Sequence, residues 1–264
     1  MTDIVSAEWV LDRPDVRIVD VRDAWEYDGI GHLPGAVNVP FDAYRADAHE
    51  AEGGEGSAGM LPDEGEFEAL LGEAGISVDD HVVAYDDTHG VFAARLLVTL
   101  ELFGHDPAKL HLLDGDFSAW QLEHETTGEV PEPAPTDYAV DPPAETPLVD
   151  ADAVSAAAES GDAVIVDTRE QWEYEEGHIP GAVRLDWQTL VDDETRGLRP
   201  EDEVREILTE RGIVPEERIV LYCNTARRIS HTYVVLRHLG FEDVAFYEGS
   251  LTEWERQGRP LETA

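Results

Sequence analysis

Two stretches of the chain carry nearly the same sequence, and this repeat constrains the fold more than any other feature. Residues 15–37 read DVRIVDVRDAWEYDGIGHLPGAV, and residues 162–183 read DAVIVDTREQWEYEEGHIPGAV. Further along, GISVDDHVVAYDD (75–87) matches GIVPEERIVLYCN (212–224). Self-similarity on this scale indicates two copies of one structural unit. A chain of 264 residues also has room for two domains of modest size.

Proline marks the boundary between the two copies. Residues 128–147 read GEVPEPAPTDYAVDPPAETP, which disfavours a helix or a central strand and predicts a semi-rigid linker. The predicted domains are therefore residues 1–127 and 148–264. Inside the first copy, residues 46–60 are rich in glycine and acidic residues, and we expect them to form an exposed insertion.

Apolar patterning within each copy predicts an α/β fold. Short apolar runs bounded by polar residues predict buried strands at 17–21, 82–86, 163–168 and 218–223. Helices that end at a glycine are predicted at 201–212 and 227–240. Because strands alternate with helices, we expect each copy to be a mostly parallel sheet flanked by helices on both faces.

The charge of the chain excludes several partners. With 18 basic and 59 acidic residues, the net charge is −41, and Lys109 is the single lysine. Such a surface repels nucleic acids and anionic membranes. An acidic coat with almost no lysine is typical of proteins from salt-accumulating halophiles, in which molar salt screens the self-repulsion. We also find no secretory signal and no long apolar stretch, and we expect a cytoplasmic monomer.

Cys223 is the one cysteine, so an intramolecular disulfide or a cysteine-rich metal site is excluded, and the histidine spacing indicates no metal site. It ends a predicted strand and is followed by the loop NTARR and a helix. Helix amides and the cations Arg227 and Arg228 stabilise an anion at such a place. These surroundings favour a thiolate, and we predict that Cys223 is a reactive nucleophile.

At these residues the chain resembles the tandem-domain rhodanese sulfurtransferases, and the resemblance covers nearly its whole length. The shared motifs are D-x-R at 167–169, G-H-I-P-G-A at 177–182, the six-residue cysteine loop at 223–228 and a glycine–tryptophan motif that is one residue longer here. The resemblance implies two rhodanese-like domains with the active cysteine in the second. Asp86 aligns with Cys223, so the first domain is expected to be catalytically inactive.

The resemblance also implies a reaction. The Cys223 thiolate takes the outer sulfur of thiosulfate, releases sulfite and passes the sulfur from a persulfide to an acceptor such as cyanide or a thiol. No cofactor is implied. The residues expected to bind substrate are one arginine outside the loop and the loop members themselves, namely Arg169, Asn224, Thr225, Ala226, Arg227 and Arg228.

Three other functions remain open. The donor could be 3-mercaptopyruvate, although the loop lacks the Gly-Ser-Gly of those enzymes and its two arginines suit a dianion. A cysteine-dependent phosphatase has a C-x5-R loop, whereas Arg228 follows Cys223 by five positions. Finally, the chain could be a sulfur-carrier or regulatory module that hands its persulfide to a protein without small-molecule turnover.

Repeated residues are assigned structural roles. His32 and His178 recur in both copies, one of which lacks the thiol, so we expect them to build a turn. The recurring tryptophans, Trp25, Trp120, Trp172 and Trp254, are predicted to pack in the core.

The charge generates the first prediction, which concerns stability. Raising KCl from dilute buffer to about 2 M is expected to increase the free energy of unfolding, because the Debye length falls to a few ångströms and the acidic residues no longer repel one another. Urea unfolding at several KCl concentrations measures this dependence. Sucrose, which does not screen charge, is the control, and an equal gain in sucrose would contradict the electrostatic explanation.

Overall fold

The computed structural model of the protein describes residues 2–45 and 61–264, so the insertion predicted at 46–60 lies outside the described residues. The chain divides into two compact units. Unit 1 comprises Met1–Glu145 and Asp193–Gly197, and unit 2 comprises Thr146–Asp192 and Leu198–Ala264.

Unit 1 alternates short strands with helices. Its strands are Asp3–Val5 (β1), Arg17–Asp20 (β2), Val37–Asn38 (β3), Val82–Tyr85 (β4) and Leu110–Leu113 (β5). Its helices are Ala7–Leu11 (α1), Ala24–Gly29 (α2), Glu64–Glu73 (α3), Val91–Leu102 (α4) and Phe117–Glu123 (α5), with 3-10 turns at Phe41–Tyr44 and Pro107–Lys109. The strand order is β1-β5-β4-β2-β3, and every pairing is parallel.

Unit 2 repeats this arrangement with one strand fewer. Its strands are Val164–Asp167 (β6), Val183–Arg184 (β7), Ile219–Tyr222 (β8) and Val244–Phe246 (β9). Its helices are Ala151–Ser160 (α6), Gln171–Glu176 (α7), Glu201–Thr209 (α8), Arg227–His238 (α9) and Ser250–Arg256 (α10), with a 3-10 turn at Trp187–Leu190. The parallel order is β7-β6-β8-β9.

The predicted α/β class is therefore confirmed, as two parallel sheets flanked by helices. The four predicted strands are present, and each ends one residue earlier than the apolar run suggests. The residue after each strand still lies in the interior, because it turns into the loop at the carboxyl end of the sheet. Asp86 and Cys223 are both such residues, and both are buried.

The same buried ionic brace holds the carboxyl edge of each sheet. In unit 2, the Asp167 carboxylate accepts from Nε and Nη2 of Arg169 at 2.7–3.1 Å and from the Tyr222 hydroxyl at 2.7 Å. Arg169 Nη2 also donates to the carbonyl of Gly177 at 2.7 Å. Unit 1 repeats each contact with Asp20, Arg22, Tyr85 and Gly31. A buried ion pair is favoured when its remaining groups are also bonded. In unit 2 the remaining Arg169 Nη1 lies 3.4 Å from Asn224 Oδ1, whereas the buried Arg22 Nη1 of unit 1 has no hydrogen-bond partner.

The repeated histidines lie in the turn that follows this brace. His32 stacks on Tyr27 and His178 on Tyr174, with ring centroids 3.8 Å apart in both units. Each imidazole Nδ1 also lies within hydrogen-bond distance of the backbone carbonyl of the tyrosine on which it stacks.

The repeated tryptophans do not share one role. Trp120 and Trp254 are buried as predicted, at 4% and 1% exposed. The prediction is wrong for Trp25 and Trp172, which are 65% and 61% exposed. Each of these two lies in the first turn of a short helix, and its indole N–H donates to the carboxylate of the preceding N-cap residue, at 3.3 and 2.8 Å. Both copies of the repeat thus share this polar contact at the surface.

The proline-rich segment packs on unit 1. Within the described part of the chain, residues 128–147 form neither helix nor strand. Tyr138 is nevertheless buried, with its ring against Phe67 and its hydroxyl 3.1 Å from His105 Nδ1. The Val140 N–H also donates to the Glu68 carboxylate at 2.8 Å. The segment up to Glu145 is accordingly part of unit 1.

The buried carboxyl group of Asp86, which lies just after β4, binds amides of the loop that follows and of the first turn of α4. Its Oδ1 accepts from the amides of Thr88 and Gly90 at 2.7 and 2.8 Å, and its Oδ2 accepts from those of Phe92 and Ala93 at 2.7 and 3.0 Å. Burial raises the pKa of Asp86, and the four amide donors oppose that rise. Only a group with several lone pairs satisfies four converging donors.

The second prediction follows from these four bonds. Asp86→Ala is expected to lower the free energy of unfolding by about 3 kcal/mol, because a helix cap is lost and buried amides are left without an acceptor. Asp63→Ala is the matched control, since Asp63 caps α3 at an exposed position where water replaces the carboxylate. It is expected to cost about 1 kcal/mol. Urea unfolding measures both variants, and equal losses would contradict the prediction.

Candidate active site

Cys223 lies one residue beyond β8, and its backbone is fixed from both sides. Its N–H donates to the Ser250 hydroxyl at 3.2 Å, and its carbonyl accepts from the Leu251 N–H at 2.9 Å. The Ser250 hydroxyl in turn donates to the carbonyl of Tyr247 at 2.9 Å. In parallel sheets the carboxyl ends of the strands are where ligands bind. The thiol residue is 1% exposed, so only a small group can approach it in this conformation.

The loop after Cys223 turns tightly into α9. Ala226 is the N-cap of this helix, is buried and has φ of +64°. A left-handed conformation costs a non-glycine residue about 1 kcal/mol, and it turns the chain so that α9 begins immediately. The Ser230 hydroxyl donates to the Ala226 carbonyl at 2.8 Å and secures the turn.

The corresponding loop of unit 1 shows which kind of chemical group the amides of such a loop bind. Asp86 follows β4 as Cys223 follows β8, and each residue precedes a helix of twelve residues. In unit 1 the loop and helix amides converge on a carboxylate. Because the two loops belong to one repeated unit, the corresponding amides of unit 2 are expected to surround the position of the Cys223 sulfur. Such a position stabilises a thiolate or a persulfide anion.

Arg228 connects the loop to a carboxylate on α7. Its guanidinium forms a two-pronged pair with Glu173: Nη1 contacts Oε2, and Nη2 lies 3.0 Å from Oε1. Burial by itself would lower the pKa of Arg228, but Glu173 and the charge of Cys223 raise that pKa above its ordinary value. Arg228 therefore stays cationic within electrostatic reach of the thiol.

Arg169 is engaged mainly by the brace. Its Nε and Nη2 bond to Asp167, and the remaining Nη1 lies 3.4 Å from Asn224 Oδ1. Burial would lower the pKa of Arg169, and the Asp167 carboxylate raises it overall. The contact of Arg169 with the cysteine loop thus runs through the side chain of Asn224.

Glu173 is the residue of this cluster to which sequence reasoning gave no functional role. Its side chain is 7% exposed, and besides Arg228 it accepts from Asn224 Nδ2 at 2.7 Å and from the Glu170 N–H at 3.1 Å. Burial would raise the pKa of Glu173, but Arg228, the Glu170 amide and Asn224 together hold that pKa below its usual value. The signal in the sequence is the repeat itself, in which Glu26 of the first copy aligns with Glu173 of the second.

The other predicted site residues lie on the same loop. Arg227 is exposed as the first residue of α9, Thr225 is partly buried and Ala226 is buried. The structure therefore brings Asn224 and Arg228 into contact with Glu173, and Arg169 into contact with Asn224, the residue after Cys223.

Within residues 2–45 and 61–264, we find no group of three or more histidine, cysteine or acidic side chains arranged to hold a metal ion. No helix in that part of the chain is both long and apolar enough to span a membrane.

Comparison with known proteins identifies the repeated unit. The sequence profile of the rhodanese-like domain matches residues 6–123 and 150–257. A thiosulfate sulfurtransferase of Pseudomonas aeruginosa is 32% identical over 258 residues, covering 92% of this chain and 89% of its own length. A protein of the haloarchaeon Haloferax volcanii, described as a candidate thiosulfate sulfurtransferase, is 32% identical over 98% of this chain and 96% of its own length.

Among solved structures, the chain is similar to SseA from Escherichia coli, a 3-mercaptopyruvate sulfurtransferase. The two share a TM-score of 0.81 and 26% identity, over 95% of this chain and 99% of that one. The ergothioneine biosynthesis enzyme of Chlorobium limicola has a TM-score of 0.84 at 21% identity, a likeness of fold alone.

The Arg228–Glu173 pair generates the third prediction. Arg228→Met leaves a buried carboxylate without its cation and is expected to cost about 2–4 kcal/mol at pH 7. Without Arg228, burial raises the pKa of Glu173 in the folded state, so the variant loses stability as pH rises through that pKa. The cost is therefore expected to be smaller at pH 5 than at pH 7.

Urea unfolding at both pH values measures this cost. Arg218→Met is the control, because Arg218 pairs with Asp243, both residues are exposed, and the loss of this pair should cost about 0.5 kcal/mol or less. A cost for Arg228→Met that is the same at pH 5 and pH 7 would contradict the role assigned to Glu173.

Proposed function

The chain belongs to the rhodanese-like domain family of sulfurtransferases, and from that premise we propose that it is a thiosulfate sulfurtransferase acting through a Cys223 persulfide. The observation that carries the proposal is the placing of the lone thiol where unit 1 holds a carboxylate among four converging amides. A loop that stabilises an anion also stabilises the thiolate nucleophile and the persulfide it becomes.

The reaction consists of two sulfur transfers. The Cys223 thiolate attacks the outer sulfur of thiosulfate, a new S–S bond forms, and the S–S bond of the donor breaks, so that sulfite leaves with the electron pair. A thiophilic acceptor, cyanide or a thiol, then attacks the terminal sulfur of the persulfide. The S–S bond to the enzyme breaks and the Cys223 thiolate is regenerated, which gives ping-pong kinetics.

The substrate-binding roles follow from position. Arg228 attracts the anionic donor and offsets the negative charge at sulfur, and the exposed Arg227 draws anions to the loop from solvent. The backbone amides of the loop residues Asn224, Thr225 and Ala226 surround the transferred sulfur. Arg169 acts at the mouth of the site through Nη1 and its contact with Asn224.

Thiosulfate is favoured over other donors for two reasons. Relatives that match over most of their length are thiosulfate sulfurtransferases by name. The loop also lacks the Gly-Ser-Gly expected for 3-mercaptopyruvate. The likeness to SseA keeps 3-mercaptopyruvate as the second candidate donor.

Two further alternatives are less well supported. A phosphate ester must bring a tetrahedral group to the nucleophile. The connection between β8 and α9 has only four residues, 223–226, and the thiol is almost fully covered, so the site suits the approach of a single sulfur atom. A sulfur-carrier or regulatory module shares the persulfide, but it would show no turnover with a small-molecule acceptor.

The remaining expectations belong to the same proposal. Unit 1, with Asp86 in place of the thiol, does no sulfur chemistry. We propose that the protein works as a cytoplasmic monomer in a salt-rich cell, since the acidic surface suits molar KCl.

The fourth prediction concerns Cys223 itself. In about 2 M KCl, thiosulfate is expected to add about 32 Da to the wild-type protein, the mass of one sulfur atom, and excess cyanide should remove it with turnover. Cys223→Ser should abolish both, because the hydroxyl cannot carry the sulfur. Mass spectrometry and steady-state thiocyanate formation measure the two effects.

Asp86→Asn is the matched control, because it alters the corresponding residue of unit 1 and should keep turnover in the folded protein. The donor panel is thiosulfate, 3-mercaptopyruvate and an aryl phosphate. Turnover that survives in Cys223→Ser, or hydrolysis of the aryl phosphate, would refute the proposal. A mass gain without turnover would identify a sulfur carrier.

A further inference from the structure

The arginines beside the cysteine loop are balanced by carboxylates. Arg169 is paired with Asp167, and Arg228 is paired with Glu173 through both of its terminal nitrogens. Both carboxylates are almost completely buried, so water screens these pairs only weakly. The local charge that an anionic donor meets is therefore much smaller than the arginines alone suggest.

Among the described residues, this pairing of a helix glutamate with a loop arginine is found in unit 2, which carries the thiol, and not at the corresponding glutamate of unit 1. Its counterpart Glu26 occupies the same position on α2 and accepts from the N-cap amide of its helix at 3.2 Å, as Glu173 does from Glu170. The position of Arg228 in α9 is taken in α4 by Phe92, so unit 1 has no cation at that place. The capping role is thus common to both units, whereas the pairing with a loop cation belongs to unit 2.

We propose that Glu173 is a specificity-determining residue, an inference that rests on the proposed function. Glu173 sets how strongly the site prefers a doubly charged sulfur donor to a singly charged one. It does so through Arg228, whose positive charge it offsets beside Cys223. Glu173 touches neither the sulfur nor the donor in this scheme and is a positioning residue.

The physical basis is the difference in donor charge. Thiosulfate carries two negative charges at neutral pH, and 3-mercaptopyruvate carries one. Any change in the electrostatic potential at the site acts twice as strongly on the dianion. One unit charge acting across about 6 Å, even with the dielectric constant of water, changes a binding constant about threefold. Removing the Glu173 charge should therefore shift the preference toward thiosulfate by about that factor or more.

The test compares kcat/KM for the two donors in the wild-type protein, in Glu173→Gln and in Glu26→Gln. Gln has the shape of Glu but no charge. The ratio of kcat/KM for thiosulfate to that for 3-mercaptopyruvate is expected to rise about threefold or more in Glu173→Gln. It should stay at the wild-type value in Glu26→Gln, which removes the same charge from the same capping position in unit 1.

A merely structural role would not move this ratio. Disorder in the loop impairs attack on both donors, because both give their sulfur to the same thiol. The assays use the lowest KCl concentration at which circular dichroism shows all variants folded, and the rise should shrink as KCl is added. A ratio that is unchanged or lower in Glu173→Gln overturns the inference.

A second pair of variants keeps the inference testable if Glu173→Gln does not fold. Arg228→Gln leaves the Glu173 charge in place and should lower the ratio. Glu173→Gln combined with Arg228→Gln restores the wild-type charge and should return the ratio to the wild-type value. A double variant that keeps the ratio of Arg228→Gln overturns the inference. If the wild-type protein takes sulfur from neither donor, the proposed function itself is refuted.

Discussion

The structure of unit 1 depends on amides of a loop and of the start of a long helix that converge on Asp86, the residue that follows a central strand. Four amide groups directed at one point in the interior are costly unless an electron-rich group occupies that point. Unit 1 meets this requirement with the carboxylate of Asp86, and unit 2 has Cys223 at the corresponding place after its own central strand. The proposed function places the thiol sulfur where unit 1 has this carboxylate.

Other contacts in each unit fix the position of the residue that follows the central strand. The buried Asp–Arg–Tyr brace links the two central strands to the turn after the first of them, and its hydrogen bonds are the same in both units. In unit 2 the brace extends to the cysteine loop, because Arg169 Nη1 contacts Asn224. Asn224 also contacts Glu173, which pairs with Arg228, so the loop is bonded to α7 as well as to the sheet. Unit 2 thus adds a few polar contacts to the repeated brace at the edge of its sheet.

The sequence predicts the parts of this structure that depend on local pattern. The apolar runs, the glycines that end helices and the repeat itself predict two parallel sheets, and the strand–loop–helix pattern locates Cys223. The role of Glu173 is harder to predict, because a glutamate in a short polar helix looks like any solvated acid until the fold brings it to Arg228. Trp25 and Trp172 show the opposite error, because repetition predicts burial, whereas each indole N–H donates to the N-cap carboxylate of its own helix. The packing of the proline-rich segment on unit 1 depends on long-range contacts of Tyr138 that no local pattern records.

The difference in length between the two loops has an evolutionary consequence. Five residues, Asp86–Gly90, separate β4 from α4, whereas four, Cys223–Ala226, separate β8 from α9. The longer turn of unit 1 carries the Asp86 carboxylate, and Phe92 stands at the helix position that Arg228 takes in unit 2. To give unit 1 the turn of unit 2, the gene would need a codon deletion as well as two substitutions, Asp86→Cys and Phe92→Arg. Point mutations alone therefore do not convert one turn into the other.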